Sequence, residues 1–244
     1  MKEMGLVHKF IDFILPRICV LCEKYSSHKN ICKNCIEEIT FIKPPLCYGC
    51  GIPFLTEQRE KAYCGKCLNQ KNNIRKIRSL FLYEEVTKNL LWEYKFNKKI
   101  FLKKDFLKFI LENKKHIDFS FENYDFFIPV PLHEDRFLER NYNQALMIAE
   151  ELSRHFKVPI LKNVLLKTKI TLPQSHLSQK ERSTNLKKSF EIRNKSILKN
   201  KTILLIDDIR TTGSTLLECS KVLKLKTNLK IMDAFTLALT TRLT

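Results

Sequence analysis

Four cysteine pairs near the amino terminus constrain the fold of this chain more than any other feature. Each pair has the spacing CxxC, and together the pairs account for eight of the nine cysteines. They are Cys19 with Cys22, Cys32 with Cys35, Cys47 with Cys50, and Cys64 with Cys67. A two-residue gap lets both sulfurs of a pair reach one tetrahedral metal ion, and two pairs complete a closed structural zinc site. The spacing therefore predicts two structural zinc ions.

Other uses of these cysteines fit the spacing less well. A redox pair is expected within a βαβ pattern, and an iron–sulfur cluster usually has the more crowded spacing CxxCxxC. Zinc leaves two ways of combining the pairs, either consecutively into two ribbons or alternately into a cross-braced module. The turns at Pro44-Pro45, Tyr48-Gly49 and Gly65-Lys66 favour two consecutive ribbons. The ninth cysteine, Cys219, lies in an apolar helical pattern and is predicted to be a buried packing residue.

The charge of the chain points to an anionic partner. The 244 residues carry a formal net charge of +18, and the segment from Ser153 to Lys201 holds thirteen Lys and Arg against two Glu. Such a regional excess attracts nucleic acid or phosphorylated metabolites, although a solvated lysine-rich surface has the same composition. The basic run from Gln174 to Lys188 has three interpretations: it contacts a nucleic-acid backbone, it covers a diphosphate, or it is simply solvated. Its charge does not decide between them.

The first twenty residues do not have the pattern of a targeting segment. His8, Lys9 and Asp12 interrupt the apolar stretch, and no small-residue cleavage site follows. No later run approaches the roughly 20 apolar residues that a membrane helix needs. We therefore expect a cytoplasmic protein with no membrane span, whose residues Leu6 to Leu15 form an amphipathic helix.

The length suits one or two domains, and the patterns divide the chain near residue 70. Residues 1–70 are predicted to hold the first helix and the zinc ribbons, and residues 71–244 a second domain, with a polar linker from Leu68 to Lys76. Helical and strand patterns alternate in that second domain, which predicts an α/β fold with a parallel sheet flanked by helices. The strands are expected at Ser79–Tyr83, Phe126–Ile128, Val164–Leu166, Thr202–Ile206 and Ile231–Leu239. The helices are expected at Glu84–Phe96, Ile100–Asn113, Asn143–Phe156 and Thr212–Leu225, with Asn143 as a cap.

The most specific run of the second domain is Thr202 to Leu216, TILLIDDIRTTGSTL. An apolar strand delivers Asp207 and Asp208 to its carboxyl end, where open α/β sheets bind their ligands. A loop of hydroxyl residues with Gly213 then opens a helix, whose amino terminus suits a phosphate. The run therefore predicts a phosphate cradle beside two carboxylates that can accept hydrogen bonds from sugar hydroxyls.

This run resembles the phosphoribosyl-diphosphate signature of the type I phosphoribosyltransferases. Together with the cysteine ribbons, the loop Pro129 to His133, the string Arg136 to Gln144 and the segment Gln174 to Phe190, it makes nearly the whole chain similar to the ComF competence-protein family. The resemblance implies a double zinc ribbon followed by a type I phosphoribosyltransferase-like domain. It also implies a role in natural transformation, with incoming single-stranded DNA and other competence proteins such as a DNA helicase as partners.

The resemblance further implies a ligand site for phosphoribosyl diphosphate with Mg²⁺. Asp207 and Asp208 would bind the ribose hydroxyls, and the loop Thr211, Thr212, Gly213, Ser214 and Thr215 would bind the 5′-phosphate. Pro131, Leu132, Arg136 and Arg140 would face the diphosphate. One departure is that Asn141 stands where the family usually has Gly, and Asn is among the residues that tolerate a positive φ.

Two functions remain open from the sequence. The chain is either a DNA-handling factor that retains phosphoribosyl-diphosphate binding, or an active transferase whose acceptor displaces diphosphate. No acceptor-reading motif is evident, and His133 and His176 are candidate acid/base groups or ordinary loop residues. The stretch Trp92 to Lys99 mixes aromatic and basic residues, which is typical of single-strand binding but also of an amphipathic helix that buries its aromatic rings.

Overall fold

The structure is a computed structural model that describes residues 17–26, 30–57, 59, 61–69, 72–132, 138, 140–168 and 189–241. The expected first helix and the segment Gln174 to Lys188 lie outside the described residues. The strands are Ile77–Leu82 (β1), Phe126–Pro129 (β2), Leu165–Lys167 (β3), Phe190–Ile192 (β4), Thr202–Arg210 (β5) and Ile231–Leu239 (β6). The helices are Lys33–Glu37 (α1), Gly65–Asn69 (α2), Glu85–Lys95 (α3), Leu102–Glu112 (α4), Lys114–Ile117 (α5), Gln144–Phe156 (α6) and Ser214–Lys226 (α7), with 3₁₀ turns at Phe121–Asn123 and Lys195–Leu198.

A four-stranded parallel sheet forms the centre of the second domain. Its strand order is β1-β6-β5-β2, and Leu205 of β5 faces Ala234 of β6 in the register. Strands buried on both faces have continuous apolar runs, which is the pattern of β5 and β6. The predicted parallel sheet is confirmed. The strand expected at Val164–Leu166 is found as β3, but it pairs with β4 in a separate antiparallel hairpin.

Helices cover both faces of the sheet. On one face, α3, α4 and α6 contribute Leu90, Phe106 and Ile148 to a core that also contains Leu204 and Phe235. On the other face, α7 packs Leu216, Cys219 and Leu223 against Leu205 and Ala234. Cys219 is fully buried, as predicted. The flanked α/β architecture is therefore confirmed.

The first cysteine ribbon shares the core of the α/β sheet. Cys19, Ile31, Cys35 and Ile39 are buried in the same apolar cluster as the side chains of α3 and α4. Main-chain hydrogen bonds join residues 40–42 to β1, since the Leu82 N–H donates to the Thr40 carbonyl at 2.9 Å and the Ile42 N–H to the Leu80 carbonyl at 2.9 Å. Residues 17–26 and 30–42 thus pack against the α/β unit rather than forming a separate body.

The second ribbon is attached at the opposite end of β1. The Ile77 N–H donates to the Gly49 carbonyl at 2.7 Å, and Gly51 has a φ of 67°. A Cβ at Gly51 would lie 2.4 Å from the Ile77 carbonyl oxygen, so the close approach requires glycine.

The linker prediction is wrong for residues 72–76. Ile74 is buried, and the Arg75 guanidinium donates two hydrogen bonds to the Asp233 carboxylate, at 3.1 and 2.6 Å. The Lys76 N–H and the Tyr124 hydroxyl also donate to Asp233, at 2.9 and 2.7 Å. These bonds fix the segment to the amino-terminal end of β6.

Candidate functional site

The eight paired cysteines form two compact groups of sulfur atoms. One group is Cys19, Cys22, Cys32 and Cys35, the other is Cys47, Cys50, Cys64 and Cys67, and within each group the sulfurs lie within 4.8 Å of one another. The Cys22 and Cys32 sulfurs are 3.6 Å apart, as are those of Cys50 and Cys64. Tetrahedral zinc with bonds of about 2.3 Å requires sulfurs about 3.8 Å apart, so both groups fit the ion. The consecutive pairing is confirmed, and the cross-braced alternative is wrong.

The surroundings of the sulfurs lower the pKa of one thiol in each group and raise the pKa of others. Burial raises the pKa of the Cys19 thiol, but hydrogen bonds from the backbone, including the Cys32 N–H at 3.4 Å, outweigh it and lower that pKa to about 7. The same balance at Cys47, with the Cys64 N–H at 3.3 Å, lowers the pKa of its thiol to about 7. Burial raises the pKa of Cys50 to about 11, so zinc binding would displace protons there. Four sulfur ligands leave no open position, which makes these centres structural.

A second site lies at the carboxyl ends of β2 and β5. It is a cavity of about 200 Å³ that collects side chains from α3, β3, β5, α6 and the loops that follow β2 and β5. The described residues of its wall are Lys95, Val130, Pro131, Leu132, Arg140, Asn143, Gln144, Ala145, Lys167, Asp207, Asp208, Ile209, Thr211 and Thr215. Ligands of open α/β sheets bind at this edge.

The two adjacent acids form one wall of the cavity. They were expected after the strand, but β5 continues to Arg210, so both lie within its last four residues. Asp207 accepts a hydrogen bond from the Asp208 N–H at 2.9 Å, while Asp208 binds the Lys95 ammonium at 2.6 Å. Burial, together with the neighbouring Asp208 charge, raises the pKa of Asp207 to about 8. One acid of the pair is therefore held by an ion pair, and the pKa of the other lies well above that of an ordinary aspartate.

The hydroxyl-rich loop after β5 leads directly into α7. Gly213 has a φ of 79°, which brings the chain round to the first residue of the helix, Ser214. The Thr212 and Ser214 hydroxyls are 2.7 Å apart and hydrogen-bonded, so the loop is braced before any ligand arrives. Thr211 and Thr215 line the cavity, whereas Thr212, Gly213 and Ser214 belong to the same loop but are not on its described wall.

The opposite wall comes from the loop between β2 and α6. Pro131, Leu132 and Arg140, three of the residues predicted to face a diphosphate, lie on it, and Arg136 lies outside the described residues. Asn143 joins the parts of this wall, because its amide donates to the Val130 carbonyl at 3.0 Å and accepts from the Leu146 N–H at 3.3 Å. The predicted cap at Asn143 is confirmed. Asn141 has a φ of 63°, so it does take the backbone conformation expected from the usual glycine.

Two buried polar groups of this wall have no partner within the described part of the chain. They are the Arg140 Nε and the Gln144 Nε2. Gln144 is only 1% exposed, and both residues line the cavity. A buried donor without an acceptor costs free energy, so these two groups are candidates to bind oxygen acceptors of a ligand.

Several wall residues were not predicted as ligand residues. Lys95 and Lys167 add positive charge from α3 and β3, and Gln144 adds the buried amide. Neither lysine belongs to a recognisable motif, and only the fold brings them to the acids. His133 and His176 lie outside the described residues.

Arg210 connects the loop region to the second cysteine group. Arg210 is 6% exposed, and its Nε and Nη2 have no partner among the described residues. Its Cδ lies beside Gly213, 3.7 Å from the point where a Cβ would stand if that residue had a side chain. Burial lowers the pKa of Arg210, while the nearby Cys50, Cys67 and Cys47 sulfurs raise it. A zinc ion bound by four thiolates has a net charge of −2, which this guanidinium would partly neutralise.

Comparison with known proteins gives the same two parts. The double zinc ribbon domain family matches residues 10–68, and the phosphoribosyl transferase domain family matches residues 143–240. Competence protein F of Haemophilus influenzae is 30% identical over 211 residues, which cover 84% of this chain and 90% of that protein. The chain belongs to the ComF family of competence proteins.

Two further relatives of this ComF chain span most of its length. Competence protein ComFC of Bacillus subtilis is 27% identical and covers 96% of each chain. The DNA utilization protein YhgH of Shigella flexneri is 26% identical and covers 86% of this chain and 91% of that protein. In the described part of the chain, no helix has the length and apolar character needed to cross a membrane.

Proposed function

We propose that this ComF-family chain binds phosphoribosyl diphosphate in the cavity at the carboxyl ends of β2 and β5, and serves in the uptake and handling of single-stranded DNA in the cytoplasm during natural transformation. The observation that carries the binding proposal is the wall itself. It combines two acids and a helix-opening hydroxyl loop with the unpartnered donors of Arg140 and Gln144.

Each part of the wall has a proposed role. Asp207 and Asp208 accept hydrogen bonds from the ribose hydroxyls, with Lys95 holding the Asp208 carboxylate in place at 2.6 Å. The loop from Thr211 to Thr215 binds the 5′-phosphate at the amino terminus of α7, where helix N–H groups favour an anion.

The diphosphate would meet the loop between β2 and α6. Arg140, Arg136, Pro131 and Leu132 are the proposed residues, and the fold adds Lys167 to them. An arginine offers a planar fork of donors that suits phosphate oxygens. Mg²⁺ is expected to arrive bound to the diphosphate, since it prefers oxygen ligands and usually keeps substrate phosphates in its shell.

The DNA-handling part of the proposal rests on kinship and charge. The relatives are named as competence and DNA utilization proteins, and the chain carries a formal charge of +18. Lysines and arginines that neutralise DNA phosphates give affinity without sequence preference. A competence role further suggests contacts with other competence proteins, such as a DNA helicase.

An active transferase is the second candidate, and the cationic side of the cavity favours it. Arg140 and Lys167 line the cavity, and their proposed role is to stabilise a departing diphosphate. In that reaction the acceptor forms a bond to the anomeric carbon while the carbon–oxygen bond to diphosphate breaks. The acceptor loses its proton, and diphosphate leaves with the bonding electron pair.

Calorimetric titration tests the binding proposal. We expect phosphoribosyl diphosphate with Mg²⁺ to bind the native chain and to lose measurable affinity in Asp207→Ala/Asp208→Ala, while Glu112→Gln, an exposed acid of α4, serves as the control. Release of diphosphate in the presence of nucleobases would add catalysis. A folded native chain that binds no phosphoribosyl diphosphate would contradict the proposal.

A further inference from the structure

Two aromatic rings, one on α3 and one directly after it, are partly exposed beside the cavity. Trp92 is 55% exposed and Phe96 is 38% exposed, and their ring centroids lie 4.3 Å apart with 36° between the planes. Of the aromatic residues in this stretch, only Tyr94 is buried in the core. The interpretation of this segment as a helix that buries its aromatic rings is therefore correct for Tyr94 and wrong for the other two.

The fold does not need these two rings for its core. Leu90, Leu91 and Tyr94 already fix α3 against the sheet and its neighbouring helices. Trp92 and Phe96 are four residues apart, about one helical turn, and both are exposed on the side that faces away from the core. A pair of large rings that remains in water is a feature of surfaces that bind a partner.

The aromatic pair is physically continuous with the cavity wall. The Arg140 guanidinium carbon lies 5.0 Å from the centre of the Phe96 ring, and the same arginine lines the cavity. Lys95, which stands between the two aromatic residues in the sequence, also lines the cavity and binds Asp208. A ligand part that extends out of the cavity on this side would meet the rings.

The chemistry of this surface selects a flat, electron-rich ring. Aromatic side chains stack on the faces of bases, and an arginine beside them adds a cation–π contribution. Lys88 and Lys98 are exposed on the same helix and the turn after it, where they are available to the phosphates of a strand.

We propose that Trp92 and Phe96, with Arg140 beside them, form a stacking site for an unpaired nucleobase at the edge of the cavity. The inference rests on the proposed function in one respect, namely that the adjoining cavity holds a sugar phosphate. The base comes either from a single-stranded nucleic acid or from a free nucleobase that acts as acceptor.

Trp92 is the only tryptophan in the chain, so its fluorescence reports directly on the site. We expect quenching on titration with oligothymidylate, with a free nucleobase, or with both, after correction for the absorbance of the added base. An abasic oligonucleotide of equal length has the same phosphates but no rings, and is expected to leave the fluorescence unchanged. Quenching by the oligonucleotide alone assigns the site to a strand, and quenching by the free base alone assigns it to an acceptor.

Variants give a second measurement that does not depend on tryptophan fluorescence. For a strand ligand, Trp92→Leu should weaken binding of a fluorescein-labelled oligothymidylate about tenfold in an anisotropy titration, whereas Trp92→Phe should keep most of the affinity. For a free-base ligand, calorimetry replaces anisotropy. Leu225→Ala is the matched control, since Leu225 is an exposed apolar residue on α7.

The outcomes separate this inference from the proposed function. Equal affinity of native protein and Trp92→Leu, or equal quenching by the abasic strand, would overturn the stacking site. If native protein binds phosphoribosyl diphosphate but no base quenches Trp92, the stacking site fails and the proposed cavity function stands. If a base quenches Trp92 but phosphoribosyl diphosphate does not bind, the proposed function fails instead.

Discussion

Replacement of Asp207 by Asn should stabilise the free protein while it removes a ligand contact. Burial and the Asp208 charge raise the pKa of Asp207 from 3.8 to about 8. Between these pH values the native chain holds a proton that the unfolded chain has released, so the free energy of unfolding falls as the pH rises from about 4 to 8. At 1.36 kcal/mol per pKa unit, this cost reaches about 4 kcal/mol at pH 7 as an upper limit. Asn keeps the acceptor for the Asp208 N–H, and we expect a gain of about 1–3 kcal/mol after relaxation of the native state.

Thermal unfolding at pH 5 and pH 8 measures this effect. The melting temperature of Asp207→Asn should exceed that of native protein by several degrees at pH 8 and by less at pH 5, at about 2–4 °C for each kcal/mol. Glu112→Gln is the control, because it removes an exposed carboxylate of α4 and leaves Asp207 and Asp208 unchanged, so it should bring no pH-dependent gain in stability. Equal pH dependence in Asp207→Asn and native protein would refute the assignment of the buried proton to Asp207.

Three further predictions concern the metal centres and the ion pair of Arg75 with Asp233. Cys35→Ser should reduce bound zinc from about two ions to one per chain, which metal analysis measures. It should also lower the unfolding temperature of the whole α/β unit in calorimetry, because Cys35 lies in the core of that unit. A separate early transition confined to the ribbon would contradict this prediction. Arg210→Met should speed the loss of zinc to a chelating dye, because it removes a buried positive charge near Cys50. Arg193→Met is the control, since Arg193 is exposed. Equal rates of zinc loss in the two variants would contradict this prediction. Asp233→Ala should cost about 1–3 kcal/mol in urea denaturation, because the buried Tyr124 hydroxyl loses its acceptor while the half-exposed Arg75 guanidinium is solvated, and a loss below about 0.5 kcal/mol would contradict a structural role.

Features encoded by short-range spacing could be predicted from the sequence. The CxxC spacing was sufficient to predict both zinc centres. The two cysteines of each pair are close in the chain, so their sulfurs are also close in space. The run from Thr202 to Thr215 was sufficient to predict a strand, a pair of acids at its end and a loop that begins a helix. Asn141 and Asn143 behaved as their local chemistry requires, with a positive φ and a helix cap respectively.

Features that depend on distant partners could not be predicted in this way. Lys95 meets Asp208 only because α3 packs across the sheet, and nothing near Lys95 in the sequence signals a carboxylate. The segment 72–76 has the composition of a linker, but Asp233 on β6 supplies the partner that orders Arg75. The exposure of Trp92 beside the burial of Tyr94 is decided by which side of α3 faces the core. The helical pattern alone did not separate the two.

The central claim is that the cavity holds phosphoribosyl diphosphate with its 5′-phosphate at α7 and its diphosphate near Arg140. A crystal structure of the zinc-loaded chain grown with Mg²⁺ and phosphoribosyl diphosphate tests this most directly. The account predicts the ribose hydroxyls within hydrogen-bond distance of Asp207 and Asp208 and the 5′-phosphate in the loop from Thr211 to Thr215. A cavity that remains free of ligand at saturating concentration, or a ligand bound elsewhere, would contradict it.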